Sequence, residues 1–242
     1  MRTKILSFSL VFAGLAACSD TGVDPQMAET VLNEDVAVVT GAAVVEDLEV
    51  MSTVFPAASG APALAGILGY SRSRTVTFYD AQDVEQEGYD PLTTASIHTI
   101  LTVEGEVSRD GYEWSLSRSR DMTVTGLEGD ETERTWNGTG EEDRSRARFS
   151  ASGDMRSYEM SGTLMVDDVV RGVPRAEYPY PLSGTITRNV TIEVTNGPRG
   201  DETITRSVVV TFDGTRYPEL AVNGDIFELD LDATGPRRIR RP

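Results

Sequence analysis

From Arg74 onward, apolar and polar residues alternate with a period of two, which is typical of strands with one dry and one wet face. The clearest example is a pair of segments, 185–194 and 203–212, separated by the turn-forming stretch TNGPRGDE. One arginine interrupts the apolar face of each segment, Arg188 in the first and Arg206 in the second. The pattern predicts an antiparallel hairpin. Its dry face contains Ile186, Val190, Ile192, Val194, Ile204, Val208, Val210 and Phe212.

The same alternation recurs in about ten short runs between Arg74 and Leu231, with turn residues such as Asp110-Gly111 between them. No helical pattern lies between these runs. We therefore expect a mainly β fold, an antiparallel meander in the form of a half-barrel, a barrel or a sandwich.

Residues 33–55 have a different period, with apolar side chains three or four positions apart. This spacing predicts a helix of one segment, or of two segments broken at Gly41. The β-branched valines leave a strand over 36–40 as an alternative. Because strands that are dry on one side need cover, we expect this N-terminal helical segment and the small residues after it to pack on the sheet.

The chain begins with Arg2 and Lys4, followed by the apolar run 5–14 and the small residues Ala16 and Ala17. This order is typical of a secretory signal peptide, and the run is too short to cross a bilayer. The single cysteine, Cys18, comes directly afterwards.

The residues Leu15, Ala16, Ala17 and Cys18 read LAAC, which resembles the lipobox of bacterial lipoproteins. The resemblance implies cleavage before Cys18, a diacylglyceryl group on its sulfur and an acyl group on the new amino terminus. Several acyl chains hold a protein on a membrane without a spanning helix. By the same analogy, Ser19 at the next position favours the outer membrane over the inner one.

These patterns divide the chain into five parts. They are a signal peptide (1–17), the lipidated cysteine with a flexible tether (18–30), a helical and small-residue segment (31–73), an antiparallel β domain (74–234) and a basic tail (235–242).

The formal net charge of the full chain is −17, and loss of Arg2 and Lys4 with the signal peptide makes it more negative. Such a charge disfavours nucleic-acid partners. Since Lys4 is the only lysine, Schiff-base and Ser-Lys chemistry are excluded from the mature chain. With no cysteine beyond Cys18 and His98 as the single histidine, we expect no cofactor and no metal site.

Candidate catalytic and metal-binding patterns are weak, so we expect no enzyme activity. No Gly-x-Ser-x-Gly motif accompanies His98, which we interpret as an ordinary strand residue. The segment DLDATG (230–235) matches the first half of a calcium loop, but Arg241 stands where a bidentate glutamate belongs, which favours a strand end running into a turn.

The tail contains Arg237, Arg238, Arg240 and Arg241. These cations suit contact with an anionic surface such as lipid headgroups, while pairing with the protein's own acids is the simpler alternative. A repeated GDET, at 129–132 and 200–203, leaves open whether two hairpins arose by duplication.

Two functions remain. The first is an extracytoplasmic lipoprotein, anchored in the bacterial outer membrane and facing periplasm or exterior, that binds an unidentified protein or envelope partner or acts structurally. The second is a periplasmic carrier of an apolar ligand held in a curved β-sheet.

Overall fold

The computed structural model describes residues 25–52, 70–109, 112–149, 155–197, 200–233 and 238–241. These residues form one helix and an eleven-stranded antiparallel sheet. The helix is α1 (Pro25–Ser52), and the strands are β1 (Tyr70–Tyr79), β2 (Glu85–Gln86), β3 (Ser96–Arg109), β4 (Tyr112–Thr125), β5 (Glu133–Phe149), β6 (Met155–Gly172), β7 (Ser183–Gly197), β8 (Gly200–Thr211), β9 (Glu219–Val222), β10 (Asp225–Leu229) and β11 (Ile239–Arg240).

The strands follow one another across the sheet in the order β11-β10-β9-β8-β7-β6-β5-β4-β3-β1-β2. The two edges, β11 and β2, have two residues each and do not close on one another. Strand β2 pairs with only Phe78 and Tyr79, so no described strand pairs with the outer side of the rest of β1. The prediction of a mainly β antiparallel meander with a helix packed on it is confirmed, and the single open sheet is neither a sandwich nor a closed barrel.

The predicted hairpin is β7 with β8, in the register Thr185↔Thr211 to Val194↔Glu202. Its predicted dry face is buried, as are the two arginines that interrupt it. The buried face results from the sequence alternation, because successive side chains of a strand point to opposite faces of the sheet.

The helix α1 is one continuous segment of 28 residues that begins at Pro25, inside the range expected for the tether. Proline suits the first helical position, because an N–H at that position would have no hydrogen-bond partner within the helix. A Cβ on Gly41 would lie 2.9 Å from Leu229 Cδ1 and 3.0 Å from Ile239 Cδ1. Gly41 therefore lies in mid-helix where α1 packs closely against the sheet, and it marks no break.

The hydrophobic core lies between α1 and the inner face of the sheet. Leu32, Val36, Val44, Leu48 and Met51 of α1 are buried in one cluster with apolar residues of β3 to β10. This burial outweighs the weak helix propensity of valine. The expected cover of the sheet is thus supplied by α1 as far as Ser52, and the small-residue stretch after it lies outside the described residues. No helix in the described ranges is long and apolar enough to cross a membrane.

Candidate functional site

The inner face of the sheet carries a set of charged side chains that are buried beneath α1. They stand at inward-pointing positions of consecutive strands, among valine, leucine and methionine side chains. The buried arginines are Arg118 and Arg120 on β4, Arg171 on β6, Arg188 on β7 and Arg206 on β8. Charged side chains are almost never fully buried unless they are paired.

Asp47 of α1 is the centre of this network. Arg120 Nε donates to Asp47 Oδ1 at 2.8 Å, and Arg188 Nη2 donates to Asp47 Oδ2. Burial alone would raise the pKa of Asp47, but the guanidinium groups of Arg188 and Arg120 hold it below its usual value. Gly140, directly opposite Arg120 on β5, leaves room for the arginine, because a Cβ there would lie 2.7 Å from Arg120 Cδ.

Among the strand residues whose burial the structure describes, Glu142 is the one buried carboxylate. Its Oε2 accepts hydrogen bonds from Arg120 Nη2 at 2.8 Å, Arg118 Nε at 3.0 Å and Arg188 Nη1 at 3.3 Å. Its Oε1 lies 3.0 Å from Arg144 Nη2 as an ion pair without hydrogen-bond geometry. Burial works to raise the pKa of Glu142, and the surrounding arginines, Arg188 foremost, hold it well below the usual value.

The other carboxylates of the network come from α1. Glu46 Oε2 accepts from Arg118 Nη2 at 2.5 Å and from Arg144 Nη2 at 2.9 Å. Nearer the start of the helix, Glu29 Oε1 accepts from Arg206 Nη2 at 2.5 Å.

Uncharged groups of α1 complete the contact with the sheet. Asn33 Oδ1 accepts from Arg206 Nε at 2.7 Å. Near the end of the helix, Arg171 Nη1 donates to the Leu48 carbonyl and to Ser52 Oγ, both at 2.8 Å. Burial, with Arg175 and Arg134 nearby, lowers the pKa of Arg171 to about 10, so Arg171 stays cationic at neutral pH.

Cations and anions are therefore segregated between the two layers: the arginines belong to the sheet, and the carboxylates, Glu142 excepted, belong to α1. We call this set the helix clamp; its members are Glu29, Asn33, Glu46, Asp47, Arg118, Arg120, Glu142, Arg144, Arg171, Arg188 and Arg206. A buried network of this kind adds little net stability but is costly to break. Through these contacts α1 is joined to five consecutive strands, β4 to β8.

A second feature, an open trough of about 760 Å³, crosses the outer face of the sheet from β1 to β7. Its walls hold serine hydroxyls and carboxylates, including Glu104, Asp143 and Glu159. Ser115 Oγ and Ser145 Oγ are hydrogen-bonded to each other at 2.7 Å. The trough offers polar, acidic contacts to a partner on the face opposite α1.

The lipobox residues Leu15, Ala16, Ala17 and Cys18 lie outside the described residues, and so does Arg237. Their predicted roles stay predictions.

Two of the described arginines of the tail, Arg240 and Arg241, lie near the protein's own acids. Arg240 Nη2 lies 3.4 Å from Asp230 Oδ2, and Arg241 Nη2 lies 3.4 Å from Glu34 Oε2. Arg238 has two buried nitrogens without a hydrogen-bond partner, and burial lowers its pKa. About half of the Arg240 and Arg241 side chains remains exposed, so contact with an anionic surface stays a prediction.

His98 lies on the outer face, where its Nε2 is 2.6 Å from Asp121 Oδ1. Among the described residues, no serine shares a hydrogen bond with His98, so a base and an acid are present without a nucleophile between them.

Asp230 of the candidate calcium segment is buried, and both of its oxygens accept hydrogen bonds from Arg216, at 2.6 and 2.9 Å. This carboxylate therefore forms an ion pair with Arg216 within the protein.

The alternation along the chain indicates which arginines point inward, since Arg118, Arg120, Arg188 and Arg206 all fall on apolar faces. It carries no information about their partners, because Arg188 and Asp47 are 141 positions apart. Each of the two hairpins that contain a GDET sequence contributes one arginine, Arg120 or Arg188, that donates a hydrogen bond to Asp47. Common origin of these hairpins stays open.

No family model, no curated protein and no solved structure matches this chain.

Proposed function

We propose that the chain is a bacterial lipoprotein, held at the outer membrane by lipids on Cys18, with a non-enzymatic binding or structural role outside the cytoplasm. The observation that carries the proposal is the LAAC motif behind a signal-like segment, with Cys18 seven positions before the first residue of α1. Several acyl chains on one cysteine are sufficient for stable anchoring.

The helix clamp supports this proposal, because it ties the segment next to the anchor firmly to the rest of the protein. Ion pairs reach α1 near its start, at Glu29, and in its second half, at Glu46 and Asp47. A pull on Cys18 is therefore passed through α1 to the central strands of the sheet.

The distribution of charged groups supports a binding or structural role. On the inner face, each carboxylate of the clamp is paired with at least one arginine. On the outer face, the trough presents hydroxyls and carboxylates, which suit a cationic or hydrogen-bonding envelope partner.

Metabolic labelling with a palmitate analogue tests the anchor, with a Cys18→Ala variant as the matched control. The proposal expects label on the wild-type chain in the outer-membrane fraction and none on the variant. Unlabelled wild-type protein, or full-length precursor in the cytosol, contradicts it. Crosslinking of cells with the two chains then identifies partners that depend on anchoring.

A second candidate is the carrier of an apolar ligand, and one observation favours it. The sheet keeps its arginines on an apolar inner face and, Glu142 excepted, takes their counter-ions from α1. If α1 moved aside, that face would offer guanidinium groups to an anionic head and apolar side chains to its tail.

Native mass spectrometry of the Cys18→Ala chain, purified from cells without detergent, separates the two candidates. One bound lipid per chain supports the carrier. A measured mass equal to that of the protein alone supports the structural role, in which α1 permanently covers the inner face.

A further inference from the structure

Strand β1 is paired along its whole length on one side and only at its end on the other. On the first side, every residue from Tyr70 to Tyr79 pairs with β3. On the second side, β2 pairs with Phe78 and Tyr79, and no described strand pairs with residues 71–77. We call residues 71–77 the β1 edge. Its length is that of an ordinary β-strand.

The β1 edge presents backbone groups to its surroundings. In an antiparallel ladder, the N–H and C=O groups of alternate residues bond to the paired neighbour, and those of the residues between them point away from it. Ser71, Arg72, Ser73 and Thr75 are exposed. The strand contains no proline, a residue that blocks pairing at many natural edges. A further strand can therefore extend the sheet here, in line with β2.

The side chains of the β1 edge indicate the charge of such a strand. Arg72 lies in the cross-strand row of Arg118, and Arg74 lies in the row of Arg120, so both point to the inner face of the sheet. The strand has no acidic residue of its own. Burial, with Arg72 nearby, lowers the pKa of Arg74, which shows that the two guanidinium groups repel one another.

Further inside the sheet, an arginine of the same row has its counter-ions within the protein. Arg118 is paired with Glu46 of α1 and with Glu142 of β5. At the edge, Arg72 forms no ion pair with a carboxylate in the part of the chain that the structure describes. A carboxylate directly opposite Arg72 on an added strand would supply this counter-ion, because opposite charges on facing residues of two strands attract.

We propose that the β1 edge binds an extended acidic segment of a partner protein, which joins the sheet as an antiparallel strand with carboxylates opposite Arg72 and Arg74. Main-chain hydrogen bonds give this contact its affinity, and the two carboxylates give it specificity. The proposal rests on the binding role proposed above and names the chemistry of the partner. A second copy of the chain is disfavoured, because two paired β1 edges would bring four arginines together without a carboxylate among them.

Binding of a synthetic peptide tests the proposal. The protein is the full-length Cys18→Ala chain, purified without detergent, and the probe is the fluorescein-labelled peptide Thr-Val-Thr-Glu-Thr-Glu-Thr. When its first residue pairs with Thr77, its two glutamates lie opposite Arg74 and Arg72. One control peptide has N-methylated backbone amides and the same side chains. A second control peptide has lysine in place of both glutamates.

We expect the glutamate peptide to bind more tightly than either control peptide, by about tenfold or more. This preference would oppose the net charge of −17, which by itself favours the lysine peptide. The variant Arg72→Glu should reverse the preference, so that the lysine peptide binds more tightly than the glutamate peptide. Arg175→Glu, at an exposed position in the connection between β6 and β7, is the matched control and should keep the wild-type preference.

Failure of the glutamate peptide to bind, equal binding of the N-methylated peptide, or an unchanged preference in Arg72→Glu overturns the proposal. Hydrogen exchange of the free chain adds a second test, in which the outward-pointing amides of residues 71–77 should exchange rapidly. Slow exchange of all these amides would mean that the same chain or a second copy already covers the edge, and it would also overturn the proposal. None of these measurements requires a lipid, so palmitate labelling decides separately whether the anchor is present.

Discussion

Asp47 is the residue on which the contact between α1 and the sheet depends most, because it is fully buried and paired with two arginines of different strands. Its partners stand 73 and 141 positions away in the chain. The alternation of the strands shows that Arg120 and Arg188 point inward, but it cannot show what meets them. At the residue scale, then, the cations of the clamp are predictable and their anions are not.

Replacing Asp47 by asparagine keeps the shape of the side chain and removes its charge. We expect Asp47→Asn to lower the free energy of unfolding by about 3–5 kcal/mol, because two buried guanidinium groups lose their counter-ion. Urea denaturation measures this change. In the control Asp130→Asn, at an exposed position, the change should stay within about 0.5 kcal/mol. Equal effects of the two substitutions would mean that Asp47 is not part of a buried network.

The clamp also predicts how stability depends on pH. The folded state holds the pKa of Asp47 below 3.8 and that of Glu142 well below 4.5, so in acid the unfolded chain binds more protons. The stability that these carboxylates contribute is present above those values and is lost as the pH falls through the lower, folded-state pKa values. Unfolding free energies measured from pH 5 down to pH 2 should therefore fall less steeply for Asp47→Asn than for the wild type. Parallel curves would argue against this linkage.

At the scale of elements, the sequence predicts the strands better than the helix. The period of two identifies β7 and β8 and shows which face of each strand is buried, because the alternation separates buried from exposed side chains. For α1, valines and Gly41 weaken the local signal, and the continuous helix exists because the sheet buries one side of it. Information about such tertiary burial is not contained in a local window of sequence.

Gly41 gives an element-scale test of this packing. We expect Gly41→Leu to destabilise the protein by about 1–3 kcal/mol, because its side chain would overlap Leu229 and Ile239. Thermal unfolding measures the change. Gly41→Ala is the matched variant. The higher helix propensity of alanine, worth about 1 kcal/mol, offsets the cost of its milder contact with the flexible ends of the Leu229 and Ile239 side chains. If Gly41→Leu were as stable as the wild type, α1 would not pack against β10 and β11 as described.

At the scale of the whole molecule, an open sheet of eleven strands holds one helix by apolar packing and by the clamp. The fold class follows from the sequence, because strand periodicity and turn residues recur along most of the chain. The choice among half-barrel, barrel and sandwich does not, because closure depends on the pairing of distant edges. The proposed function requires that the helix be joined to a membrane anchor.

The mass of the mature amino-terminal peptide, from protein isolated out of bacterial membranes, tests that requirement most directly. We expect a peptide that begins at Cys18 and carries a diacylglyceryl group on sulfur and an acyl group on nitrogen. A mature chain that begins at any other residue, or an unmodified Cys18, would contradict it.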